Sequence, residues 1–171
     1  MKALRYLAIV LLLVIAPSCG EAPTAPARAA PAASLIGDLL RPTGLLQCSD
    51  LPYASDTETI GPAGGRLTAG PHTLSIPAGA LREPTAITMT APTGRGVNIV
   101  HFEPEGLEFE RGASLTMSYA NCNLLGRLLP KRIAYTTPNL NILYYLLSLD
   151  NIFAKRVTGR VDHFSDYVVA W

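Results

Sequence analysis

Charge is scarce in this chain: 16% of its 171 residues are Asp, Glu, Lys or Arg, and the 14 basic ones form no large cluster. Setting aside Lys2 and Arg5, which belong to an expected leader, 12 basic against 13 acidic residues leave a net charge of −1. A protein that binds nucleic acid needs a basic surface to displace counterions, so no nucleic-acid partner is expected. Three His and three Cys, none at short ligand spacing, offer no zinc motif, and His72 and His101 fall in different expected strands. Glycine-rich phosphate loops, an ordered Ser/His/Asp set and internal repeats are also missing, so neither cofactor nor metal is expected. The longest apolar run, Tyr6 to Ala16, is shorter than the roughly 20 residues that cross a bilayer, which makes a spanning helix the weaker reading.

What that run does have is the layout of an export signal over residues 1–18, with Lys2 and Arg5 as its basic head. It ends in Ala16-Pro17-Ser18-Cys19-Gly20, a small residue directly before Cys, which resembles a bacterial lipobox. The resemblance implies diacylglycerol on the Cys19 thiol, cleavage before Cys19, and outer-membrane localisation, since Gly20 rather than Asp follows. Ala16 stands where such motifs prefer Leu, and Pro17 is unusual there. An ordinary signal peptide cut after Ser18 is the alternative. Residues 20–34 hold seven Ala and three Pro without apolar periodicity. Such a composition buries too little surface to offset ordering entropy, so residues 19–34 are expected to form a lipid-anchored spacer. Removing Cys19 leaves Cys48 and Cys122, an even number in an oxidising compartment, and one disulfide is expected between them. Two unpaired buried thiols are the alternative.

Beyond a lead-in over residues 35–56, 14 Gly and 14 Pro punctuate a chain with only 7% aromatics and mean hydropathy +0.24. Breaks every 8 to 12 residues are the spacing of short antiparallel strands. Arg66–Ala69 and His72–Ile76 flank Gly70-Pro71 as a hairpin. Ala86–Thr90 and Leu115–Tyr119 alternate apolar and polar with period two, one face for a core and one for solvent. Val97–Phe102, Arg132–Thr136, Ile142–Leu149 and Phe153–Val157 continue the series; Gly159 breaks it, and Arg160–Phe164 runs into Asp166–Trp171. Glu103, Glu105, Glu108 and Glu110 flank Phe109 as an outward face would, without the graded Asp/Asn/Gly spacing of a Ca²⁺ loop. Leu35–Leu40 and Leu124–Leu129 read as helical turns. Near ten strands make an all-β antiparallel sandwich.

Gly61-Pro62-Ala63-Gly64-Gly65-Arg66-Leu67, Leu74 to Leu81 with its Ile-Pro-Ala-Gly-Ala core, Phe102 to Phe109, and Val157 to Tyr167 together resemble a ZU-5 domain. That β-sandwich module occurs in ankyrins, netrin receptors and death-domain adaptors, and ZU-5-like domains occur in bacterial envelope proteins. The resemblance covers roughly residues 57–171 and implies the sandwich fold. It says little of function, which resides in sites rather than folds.

In some ZU-5 relatives, His-Phe-Ser is an autoproteolysis site, and this chain carries His163-Phe164-Ser165. The Ser165 hydroxyl would attack the Phe164 carbonyl carbon, turning the amide into an ester by an N→O shift. His163 would take the hydroxyl proton and return it to the leaving amine, and a strained bend would drive the step. Alternatively, Val161 and His163 share a strand face, His163 is half-buried at a bend, and Ser165 caps a turn. The expected role is therefore a non-catalytic envelope lipoprotein presenting a structural or protein-interaction surface, with an unidentified protein partner and membrane contact through its N-terminal lipid. Self-cleavage is the first alternative. A carbohydrate- or ligand-binding sandwich is the second, and requires an exposed aromatic pair on one sheet face.

Overall fold

Alternation of apolar and polar residues along short segments, with glycine and proline between them, produces strands that must cover one face. The computed structural model describes residues 44–123 and 129–171. The expected leader, Cys19, the spacer and the helical turn at 35–40 lie outside the described residues, as does all but Leu129 of the turn at 124–129. Eleven strands are described: β1 (Ala54–Ile60), β2 (Gly65–Ala69), β3 (His72–Ile76), β4 (Thr85–Ala91), β5 (Ile99–Glu103), β6 (Glu108–Ser118), β7 (Arg132–Thr136), β8 (Ile142–Tyr145), β9 (Ser148–Asn151), β10 (Arg156–His163) and β11 (Asp166–Ala170). They form an all-β antiparallel sandwich. One sheet has the order β1-β4-β5-β11-β7-β8, the other β2-β3-β6-β10-β9.

The core lies between the sheets. Alternate residues of β3, β4 and β6 (Leu74 and Ile76; Ile87 and Met89; Leu115 and Met117) are buried there with Ile133, Val157 and Tyr167. β11 departs from alternation because both of its faces are covered. Tyr167 and Val169 join the central core, while Val168 and Ala170 pack outside the sheet with Leu45, Ile99 and Ala134. That outer cover comes from the residues just after Gly44. Leu45 bridges Ala170, and Leu46 N–H donates to the Val169 carbonyl at 3.2 Å. The sandwich thus uses residues well ahead of 57, and its first strand begins at Ala54.

Three expected strands are corrected. Ile142–Leu149 is two strands in different sheets, because the chain crosses from β8 to β9 at Leu146-Leu147. The crossing is held by Leu146 N–H on the Ile133 carbonyl at 2.9 Å and by the Ser148 hydroxyl on the Leu146 carbonyl at 2.9 Å. Phe153–Val157 is mostly the turn joining β9 to β10. Gly159 does not break a strand but lies inside β10, where an added Cβ would stand 3.3 Å from both Ile133 Cδ1 and Ser148 Oγ. The glycine there marks a close approach between layers.

Cys48 and Cys122 are joined by a disulfide that closes a sequence separation of 74 residues. The chain-entropy model assigns such a loop about 4 kcal/mol. Reduction, or the Cys48→Ser/Cys122→Ser double variant, is expected to lower unfolding free energy by about 3–4 kcal/mol in urea titration.

His72 is 1% exposed, and its Nδ1 accepts the Ser118 N–H at 3.2 Å, which fixes the neutral ring. Burial first, and the positive charge of Arg156 second, lower its pKa to about 4. The unfolded chain therefore binds the extra proton between pH 6.5 and about 4, and stability falls as pH drops through that window. The loss is expected to reach about 3 kcal/mol, and His72→Gln should flatten it relative to wild type in pH-dependent denaturation.

Candidate functional site

His163, Phe164 and Ser165 occupy the crossing from β10 in one sheet to β11 in the other. A register irregularity between Val161 and His163 shifts the β10–β6 ladder, which resumes with His163 opposite Glu108; Val161 is buried and His163 half-buried on either side of exposed Asp162. Phe164 is the pivot. Its ring stacks on Phe102 at 4.7 Å and meets the Phe109 ring edge-on at 5.0 Å. Its backbone is tied on both sides by the loop preceding β6: its N–H donates to the Leu107 carbonyl at 2.8 Å, and its own carbonyl accepts the Gly106 N–H at 3.1 Å.

The three demands of self-cleavage meet this geometry unequally. The Gly106 N–H polarises the Phe164 carbonyl, as a donor placed for an oxyanion would. The His163 ring, however, lies edge-on against Tyr135 at 5.3 Å and tilted toward Tyr167 at 6.4 Å, and no hydrogen bond joins it to the Ser165 hydroxyl. The His163 carbonyl instead accepts the Tyr167 hydroxyl at 2.6 Å, and burial raises the Tyr167 pKa well above 10. None of the three residues has a positive φ, and no cis peptide joins them. A polarised carbonyl is thus present without a paired base or a backbone outlier.

A pairing the sequence reading missed lies beside it. His101 Nδ1 on β5 is bonded to Asp166 Oδ1 on β11, and both line a groove of about 710 Å³ with Ser165, Glu103 and Glu105. Residues 65 positions apart carry no local signal of such a pair. Only the adjacency of β5 and β11 brings them together. No hydrogen bond links Ser165 to His101, whose Nδ1 is taken by Asp166. Among the described residues, no group of three His, Cys, Asp or Glu is arranged to hold a metal ion. The four glutamates are exposed, and Arg82 pairs with Glu110 at 2.7 Å.

The other expected features fall elsewhere. Tyr144 is exposed, whereas Tyr145 is half-buried under the Arg132 guanidinium, 5.6 Å from its ring centre, so the two offer no flat aromatic pair. Among the described residues, six of nine exposed large apolar side chains fall in the β8–β9 segment and the turn after it: Leu143, Tyr144, Leu147, Leu149, Ile152 and Phe153. Comparison with protein-family models and with curated proteins found no match.

Thr136 Oγ1, at the end of β7 and paired in register with Asp166, is buried without a hydrogen-bond partner. An orphaned buried hydroxyl costs more than the apolar group of the same shape. Thr136→Val is therefore expected to raise stability by about 1 kcal/mol, read as an upward shift in Tm.

Proposed function

We propose that this chain is a non-catalytic, ZU-5-like β-sandwich of the bacterial cell envelope, exported, anchored by a lipid on Cys19 at the outer membrane, and acting through its surface. The observation that carries this reading is the apolar edge. Six of the nine exposed large apolar side chains among the described residues fall between Leu143 and Phe153, a concentration that suits a contact surface. In the groove beside Ser165, by contrast, no hydrogen bond links Ser165 to His101, whose Nδ1 is taken by Asp166. An anchor at the N-terminus and a spacer behind it suit a domain that works by contact at a surface. Mass spectrometry of the N-terminal peptide from protein made in a Gram-negative host tests the anchor. Diacylglyceryl-Cys19 at the mature N-terminus is expected, lost in Cys19→Ser. An unmodified terminus at or near residue 19 overturns it.

Single-turnover cleavage between Phe164 and Ser165 is a second reading, favoured by one observation, the Gly106 N–H on the Phe164 carbonyl. Under the first reading, the denatured wild-type chain and Ser165→Ala both keep their intact mass after long incubation. Loss of the seven C-terminal residues from wild type alone would establish the second.

A further inference from the structure

The apolar edge has a shape, a charge and a position that together select an occupant. β8 and β9 are the outermost strands of their two sheets, and the chain crosses between them at Leu146-Leu147. Each has only four residues, too short an edge to template a long added strand. The contact must therefore be made by side chains. The two most exposed, Leu147 at 90% and Phe153 at 93%, stand at opposite ends of β9, at most about 20 Å apart along the strand. Phe153, with Ile152, projects from the tip of the turn between β9 and β10. Protruding apolar tips need a medium that flows around them.

Charge narrows the choice. Among the described residues, positions 129–157 carry Lys131, Arg132, Lys155 and Arg156 against Asp150, whereas the rest carry five basic and ten acidic residues. Asp150 does not offset its neighbours outward, because its carboxylate is taken up internally. It accepts the Tyr119 hydroxyl at 2.6 Å and the Lys131 backbone N–H at 2.8 Å. Lys131 is itself buried, its ammonium on the Leu129 carbonyl. Arg132, which lines a groove with Tyr144 and Leu147, and Lys155 and Arg156, which follow Phe153 in the chain, remain as the outward charge of this segment. Two copies meeting edge to edge would bring these cations together, which disfavours self-association.

Gly44 also lies against this edge. A Cβ at Gly44 would touch the Tyr145 hydroxyl and lie 3.4 Å from Ile142 Cδ1, both on β8.

We propose that the β8–β9 edge, with Ile152 and Phe153 at its tip and Arg132, Lys155 and Arg156 around it, seats the domain on an anionic lipid bilayer. The tips enter the headgroup–acyl boundary while the cations meet lipid phosphates, the arrangement of interfacial anchors generally. The anchor at Cys19, taken from the proposed function, raises the local concentration of this edge at the bilayer, so weak intrinsic affinity suffices.

The test uses the mature chain, residues 19–171, as Cys19→Ser, so that no acyl chain contributes and failure of the anchor is read separately. Sedimentation with vesicles of phosphatidylglycerol and phosphatidylcholine is expected to show binding. Vesicles of phosphatidylcholine alone, or 0.5 M salt, should weaken it at least tenfold. Ile152→Ser/Phe153→Ser should also weaken it at least tenfold at unchanged Tm, because both side chains are exposed, and Arg132→Gln/Arg156→Gln should remove the preference for anionic lipid. Absence of vesicle binding overturns the proposal, as does binding that the tip variant leaves intact. A dimer in solution that the tip variant dissolves would assign the edge to a second copy instead.

Discussion

The passage of the chain between sheets is the constraint on which this structure turns. A two-residue crossing has no ladder of its own, yet its backbone groups lie where water is scarce and must find partners. At Phe164-Ser165 the solution is complete: the loop at Gly106 and Leu107 satisfies both polar groups of Phe164, and its ring is packed among Phe102 and Phe109. With that pivot fixed, β11 is laid between β5 and β7, and His101 meets Asp166. Burial of β11 on both faces follows, because the residues after Gly44 fold over its outer side. Phe164, the middle residue of His-Phe-Ser, thus has a packing and hydrogen-bonding role in the crossing.

The crossing at Leu146-Leu147 answers the same constraint differently. Its backbone is tied to Ile133 and Ser148, and Leu146 is half-buried, but Leu147 is left outside. Nothing about the backbone requires a leucine there. The Phe164 ring is enclosed by Phe102 and Phe109, whereas Leu147 has solvent on one side, where residue type is free to serve contact rather than packing. That difference separates a structural motif from a surface one.

Much of the sandwich was legible in the sequence because alternation is a local property. The hairpin around Gly70-Pro71, the alternating faces of β4 and of the second half of β6, and the outward glutamates flanking Phe109 followed from period two and punctuation alone. The disulfide followed from counting cysteines. What failed were places where a residue's meaning depends on another layer. The run from Ile142 to Leu149 contains neither Gly nor Pro, so nothing local marks the change of sheet. Gly159 looks like a break unless Ile133 and Ser148 are known to press against it. The His101–Asp166 pair depends on strand order, which alternation does not encode.

The electrostatic layout connects these levels. Charged residues are few, so their placement matters more than their sum: among the described residues, positions 129–157 carry four basic residues and one acidic, and the rest five basic and ten acidic. The one carboxylate in that segment, Asp150, accepts from Tyr119 and Lys131. Arg156, at the start of β10, faces both regimes. Burial holds His72 neutral and the Arg156 charge adds to that effect, while Arg156 also stands just after the turn that carries Phe153. A buried neutral histidine next to an arginine is unstable to protonation, so the β3–β6–β10 side of the core depends on that proton staying off. The stability lost on acidification therefore arises first from the burial of His72 and only second from the Arg156 charge beside it.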